Sequence, residues 1–170
     1  ISEEDDYYLR FDGQNGQDGT GSWVECAKPD IDKSLTNMPL VIQRTALANP
    51  GTSTEIATFT IKQFTYADRE VGDDTTNPLP SFKGKRINKV LFFRNRLAFL
   101  AGENVVLCRP GTLGKPDFFS ETALTVSAND PIDIACSSTF PSELFDGIDI
   151  NTGLVVFSTN QQFLLASDDT

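Results

Sequence analysis

Turn-forming residues interrupt this chain so often that no long helix fits between them. No window of a dozen residues places apolar side chains at i, i+3, i+4 and i+7 without meeting a Pro, a Gly or an Asn-Asp break. Between the breaks lie short runs rich in β-branched and aromatic residues, as strands require. Residues 7–11 and 23–27 flank Asp12-Gly13-Gln14-Asn15-Gly16-Gln17-Asp18-Gly19-Thr20-Gly21, a polar glycine-rich connection suited to a hairpin with a long tip. Residues 40–44 and 55–64 are further strands, with Asn49-Pro50-Gly51 as a turn between them. The expectation is an all-β fold of short antiparallel strands and hairpins, with few or short helices.

One plan recurs. Residues 96–109 read as strand, tight polar turn and strand, and residues 153–166 repeat it at an offset of 57 positions. Leu97 then aligns with Leu154, Phe99 with Val156, Leu100 with Phe157, Val106 with Phe163 and Leu107 with Leu164. A hairpin recurring at roughly 50 residues is how propeller blades read in sequence. The expectation is a partial propeller-like architecture, because 170 residues cannot supply the four or so blades that close a ring. The chain also opens on Ile1 rather than Met, and it is expected to be part of a longer protein. Its expected division is an N-terminal β segment over 1–82 and blade-like repeats over 83–170, the hairpins being 97–108 and 154–165.

Histidine is absent, which removes Ser-His-Asp and Cys-His centres, imidazole-based zinc sites and the usual near-neutral acid or base. Twenty-four acids against 14 bases give a net charge of −10, a poor fit to a nucleic-acid coat or an anionic membrane. Six of the bases nevertheless crowd into one stretch free of acids: Lys83, Lys85, Arg86, Lys89, Arg94 and Arg96. A basic strip on an acidic body suggests a docking surface; the plainer reading is the solvated side of a strand pair. No apolar run approaches the ~20 residues of a membrane-spanning helix, and no secretory segment opens the chain. Cys26, Cys108 and Cys136 are odd in number, widely spaced and set among apolar or small residues, so free thiols in a reducing compartment are expected.

Candidate chemistry is thin. The loop from Asp12 to Gly19 gathers oxygens but lacks the spacing and the bidentate glutamate of a calcium loop. Gly72-Asp73-Asp74-Thr75-Thr76-Asn77-Pro78 has ordinary turn composition, and Gly111-Thr112-Leu113-Gly114-Lys115 lacks the length and terminal hydroxyl of a phosphate loop. Asp130 and Asp133 are the nearest thing to a glycosidase carboxylate pair, in a chain where such spacings arise by chance. No catalytic, cofactor or metal residue is assigned, and no enzyme activity is expected.

The order of short motifs is more telling. Gly21-Ser22-Trp23-Val24-Glu25 is followed by Lys28-Pro29 and by Asn37-Met38-Pro39-Leu40-Val41-Ile42-Gln43-Arg44. Next come Arg69-Glu70-Val71-Gly72-Asp73 and Asn77-Pro78-Leu79-Pro80-Ser81-Phe82. Phe92-Phe93-Arg94-Asn95-Arg96-Leu97 then leads to Gly102-Glu103-Asn104-Val105-Val106-Leu107-Cys108-Arg109. Asp117-Phe118-Phe119, Asp130-Pro131-Ile132-Asp133 and residues 154–163 complete the series. In this order they resemble the tail tubular protein B family of T7-like podophages, the nozzle of short tails, over roughly residues 7–166. Cys108 stands where that family commonly has serine, Tyr66 where it often has tryptophan, and no histidine follows Met38-Pro39.

The resemblance implies a β-rich structural virion subunit that assembles as a homo-oligomer, a hexameric ring at the distal end of the tail. Its implied partners are the tail adaptor and the tail fibres, with double-stranded DNA in transient passage, no cofactor and no membrane insertion. Assembly would take place in the host cytoplasm. An acidic body agrees with a DNA conduit, since a wall that attracted phosphates would hold the duplex. A basic strip is better matched to acidic faces of neighbouring subunits. Two other classes remain open at this point: a carbohydrate-binding or adhesin-like β module, and a carboxylate-based glycan hydrolase.

Overall fold

The computed structural model describes residues 7–16, 18–136 and 139–166. Among them are eleven strands and no helix. They are β1 (Tyr8–Gly13), β2 (Gly21–Cys26), β3 (Leu40–Ala48), β4 (Ile56–Gln63), β5 (Lys89–Phe93), β6 (Arg96–Ala101), β7 (Asn104–Leu107), β8 (Ile132–Ala135), β9 (Leu144–Ile150), β10 (Gly153–Ser158) and β11 (Gln162–Ala166). All pair antiparallel, in four open sheets: β1-β2, β3-β4, the meander β5-β6-β7-β8, and β11-β10-β9. The all-β expectation holds. None of the sheets closes on itself.

Turn chemistry sets these pairings. Arg94 and Asn95, both left-handed (φ 46° and 61°), join β5 to β6 in two residues, which matches the right-handed twist of the flanking strands. Gly102 (φ 60°) and Glu103 join β6 to β7. Both repeated hairpins are present, and their registers superpose at the 57-residue offset: Phe99 faces Val106 where Val156 faces Phe163, and Leu100 faces Val105 where Phe157 faces Gln162.

The continuous apolar run Leu97-Ala98-Phe99-Leu100-Ala101 is a strand covered on both faces, as such runs are when sheets or loops pack on either side. One face of the meander carries Leu97, Phe99, Val106 and Cys108, roofed by Leu35, Met38, Phe82, Phe118 and Phe119. Phe82, Phe99 and Phe118 meet at ring separations of 5.0–5.3 Å, two contacts edge-on and one stacked. The opposite face carries Ala98, Leu100, Val105 and Leu107, which pack on Leu144, Leu154 and Val156 of the second sheet. The meander is therefore a middle layer, with aromatic loops on one side and β9–β11 on the other. Each large side chain buried there contributes about 1.5–3 kcal/mol.

Candidate functional site

The structure disperses the six residues of the basic strip: Lys83, Lys85 and Arg86 precede β5, Lys89 opens that edge strand, Arg94 sits in the β5–β6 turn, and Arg96 opens the interior strand β6. The Lys83 ammonium pairs with Asp32 and holds that carboxyl below its usual range. Lys85 Nζ lies 3.2 Å from Asn104 Oδ1, and Lys89 pairs with Asp146 at 2.9 Å, lowering the Asp146 pKa. Lys85, Arg86 and Arg94 are exposed, and the Arg94 guanidinium lies 5.3 Å from the Phe93 ring centre. Four residues of β5 lie between Lys89 and Arg94, about 16–17 Å of strand. Arg96 stands apart: it is buried, and its guanidinium donates to the carbonyls of Cys108 (3.0 Å), Asp130 (2.7 Å) and Ala128 (2.8 Å). Burial lowers its pKa, yet three carbonyls keep the charge solvated.

The motif residues from Arg69 to Asn77 form a buried polar knot. The Arg69 side chain is fully covered and donates to Asp74 Oδ1 (2.8 Å), the Asn77 carbonyl (2.9 Å) and the Asp32 carbonyl. Asn77 Nδ2 reaches the carbonyls of Val71 and Ser120, while its Oδ1 accepts the Ser120 N–H. Gly72 (φ 73°) bridges Ala27, so the knot ties the end of β2 to the loop beside the aromatic core. Glu25 closes it further by accepting from Thr122 Oγ1 and the Ala123 N–H, both at 2.7 Å. Read as turn composition, this segment gave no sign of such burial; only its place in the motif series marked it.

The remaining candidates fall to structural work. Asp130 accepts the Ser127 N–H (2.7 Å), whereas Asp133 clips the Ser81 backbone and hydroxyl at 2.7 and 2.6 Å. Among the described residues the two carboxylates thus bond different loops and share no hydrogen-bond partner. Among the described residues, no three of His, Cys, Asp or Glu converge as metal ligands. The three cysteines are free thiols, with Cys108 buried and burial raising the Cys136 pKa. Among the described residues, no helix is long and apolar enough to cross a membrane.

Two apolar surfaces that sequence patterning did not single out lie uncovered. The outer face of β9–β11 presents Ile148, Ile150 and Leu164. The β3-β4 ribbon, exposed along nearly its whole length, carries Leu40, Ile42, Ile56, Phe59 and Ile61, each at least 60% exposed. Surfaces of this kind mark sites of association. Geometry of this sort, with polar residues knotted inside and apolar sheet faces left outside, suits a building block rather than a reaction centre.

Comparison with known proteins agrees. The chain is 33% identical over 168 residues to tail tubular protein gp12 of Escherichia phage T7, an overlap of 98% of this chain and 19% of that relative. The chain thus spans about a fifth of that relative's length. A family model described as bacteriophage nozzle protein matches residues 1–170, and with every strand described above inside that match, the chain belongs to the bacteriophage nozzle protein family.

Proposed function

We propose that this chain is part of a structural subunit of a podophage tail nozzle, a component of the virion that lines the exit path of the genome and catalyses nothing. The observation that carries the reading is the family match across residues 1–170. Subunits assemble as a closed ring, contacting the tail adaptor and the fibres, in the host cytoplasm before release. The net charge of −10 keeps the duplex from sticking to the wall. Heterologous contacts that close by rotation suit such a ring, and Lys85, Arg86 and Arg94, with Lys83 and Lys89 behind them, supply basic docking points for an acidic neighbour.

The stacking of sheets supports the propeller-like part of this reading. At the 57-residue offset Leu97 and Phe99 correspond to Leu154 and Val156, and Ala98 and Leu100 to Val155 and Phe157. The Ala98–Leu100 face of the meander packs on the Leu154–Val156 face of the second sheet. The Val155–Phe157 face is then the seat for the next sheet in line, and residues 83–170 act as consecutive blades after an N-terminal segment over 1–82.

Native mass spectrometry and electron microscopy of the full-length protein test the assembly reading. Closed rings of one subunit type are expected, and a monomer at micromolar concentration overturns it. Lys85→Glu/Arg86→Glu should weaken the rings while changing the unfolding free energy of the subunit by no more than about 0.5 kcal/mol.

A further inference from the structure

We infer that the β3-β4 ribbon is a docking arm that lays its apolar face on the acidic C-terminal third of a second copy of this chain. Pairing fixes which side chains share that face. Leu40, Ile42 and Arg44 on β3 lie opposite Gln63, Ile61 and Phe59 on β4, and beyond the bulge Leu47 lies opposite Ala57. The face is therefore Leu40, Ile42, Leu47, Phe59 and Ile61 around one charge, Arg44. The other side is mixed: Gln43, Thr45, Thr58, Thr60 and Lys62 dominate it, with Val41 near the base and Ile56 at the tip, and Thr45 Oγ1 is bonded to Thr60 Oγ1 at 3.4 Å. An amphipathic ribbon has formed with its apolar side turned to solvent: Ile42 is 66% exposed, Ile61 65% and Phe59 60%. Several such side chains in one row on a standing ribbon are an association surface, not scattered surface residues.

Charge selects the occupant. The apolar face has no acid, and the ribbon's lone carboxylate, Glu55, is held at the tip by the Gly51 N–H (2.7 Å). None of the 14 Lys and Arg residues lies beyond Lys115, whereas nine Asp and Glu do. That same stretch exposes Leu124, Val126 and Phe145, so it offers apolar contact and negative charge together. Pairing two ribbons face to face would instead bring two Arg44 side chains into one apolar contact with no acid on either face to offset them. The apolar groove at the ribbon's base, about 310 Å³ and lined by Val90, Phe92 and Leu113 among others, sits on the strand that bears Lys89 and runs into Arg94. A basic ribbon meeting an acidic third of the next copy is also a contact between unlike patches, the kind that closes rings.

This inference rests on the ring reading, and the experiment separates the two. A photo-reactive benzoylphenylalanine replaces Phe59 in the full-length protein, and assemblies are formed from a mixture of light and 15N-labelled chains. After irradiation the adducts are mapped by mass spectrometry. Mixed-isotope adducts within residues 116–166 are expected, and Arg44→Glu should raise the dissociation midpoint concentration of the assembly at least about tenfold. Adducts within one chain, or between two ribbons, in intact rings overturn the docking arm while leaving the nozzle reading in place. Absence of rings in the unmodified protein overturns both. Phe59 and Arg44 are exposed, so unchanged thermal midpoints will show that the variants fold.

Discussion

At Asp73 one carboxylate oxygen accepts the N–H groups of Thr76 and Thr75 at 3.0 and 2.9 Å together with the Thr76 hydroxyl, and the other accepts from Tyr8. These bonds, the Thr76 and Thr75 N–H groups foremost, hold its pKa below the ordinary aspartate value against the opposing effect of burial. A carboxyl depressed in the folded state contributes stability that is complete above its unfolded pKa of about 3.9 and is lost as pH falls through the folded value. Denaturation midpoints should therefore decline below about pH 4, and Asp73→Asn should flatten that decline while lowering stability at pH 7. An unchanged acid slope counts against Asp73 as its source. Arg96 is tested differently. Lysine keeps the charge but cannot span three carbonyls, so Arg96→Lys strands at least one of them and should cost about 1–3 kcal/mol by chemical denaturation. A neutral result would mean those carbonyls find water.

At the scale of elements, hairpins were the most legible part of the fold, because alternation and turn residues are local signals. Residues 40–44 announced β3, but its continuation to Ala48 was hidden by the bulge between Arg44 and Ala46, which shifts the alternation by one place. The strand β9 was not singled out, because the acids and the glycine of Phe145-Asp146-Gly147-Ile148-Asp149-Ile150 dilute its β-branched signal. Gly147 sits where the two sheets pack closely. A Cβ there would stand 2.9 Å from Leu91 Cδ1 and 3.1 Å from the Val155 carbonyl. Gly147→Val should push β9 off β5 and cost about 1–3 kcal/mol, read from the denaturation midpoint; an unaltered midpoint would show that the sheets slide apart freely. The basic strip was legible as composition only. Nothing local to Arg96 reveals that carbonyls 32 and 34 residues onward will enclose its guanidinium.

For the whole molecule, the decisive question is what covers the outer face of β9–β11. Leu164 and Leu165 are neighbours on β11 with opposite environments: Leu165 packs against the core shared with the meander, while Leu164 is 54% exposed. If a further sheet of the full-length protein stacks there, a lysine at Leu164 is harmless in the 170-residue chain and harmful in the full-length protein, where its ammonium would be desolvated. Leu164→Lys should then shift the isolated chain by no more than about 0.5 kcal/mol and the full-length protein by roughly 2–4 kcal/mol. Leu165→Lys must damage both, since its site is internal either way, and so reports whether the short chain folds at all. The isolated chain should also bind a hydrophobic dye that Leu164→Lys displaces. Equal, small effects of Leu164→Lys in the two lengths would mean that this face stays in water, and the stacked-sheet architecture would fall while family membership stood.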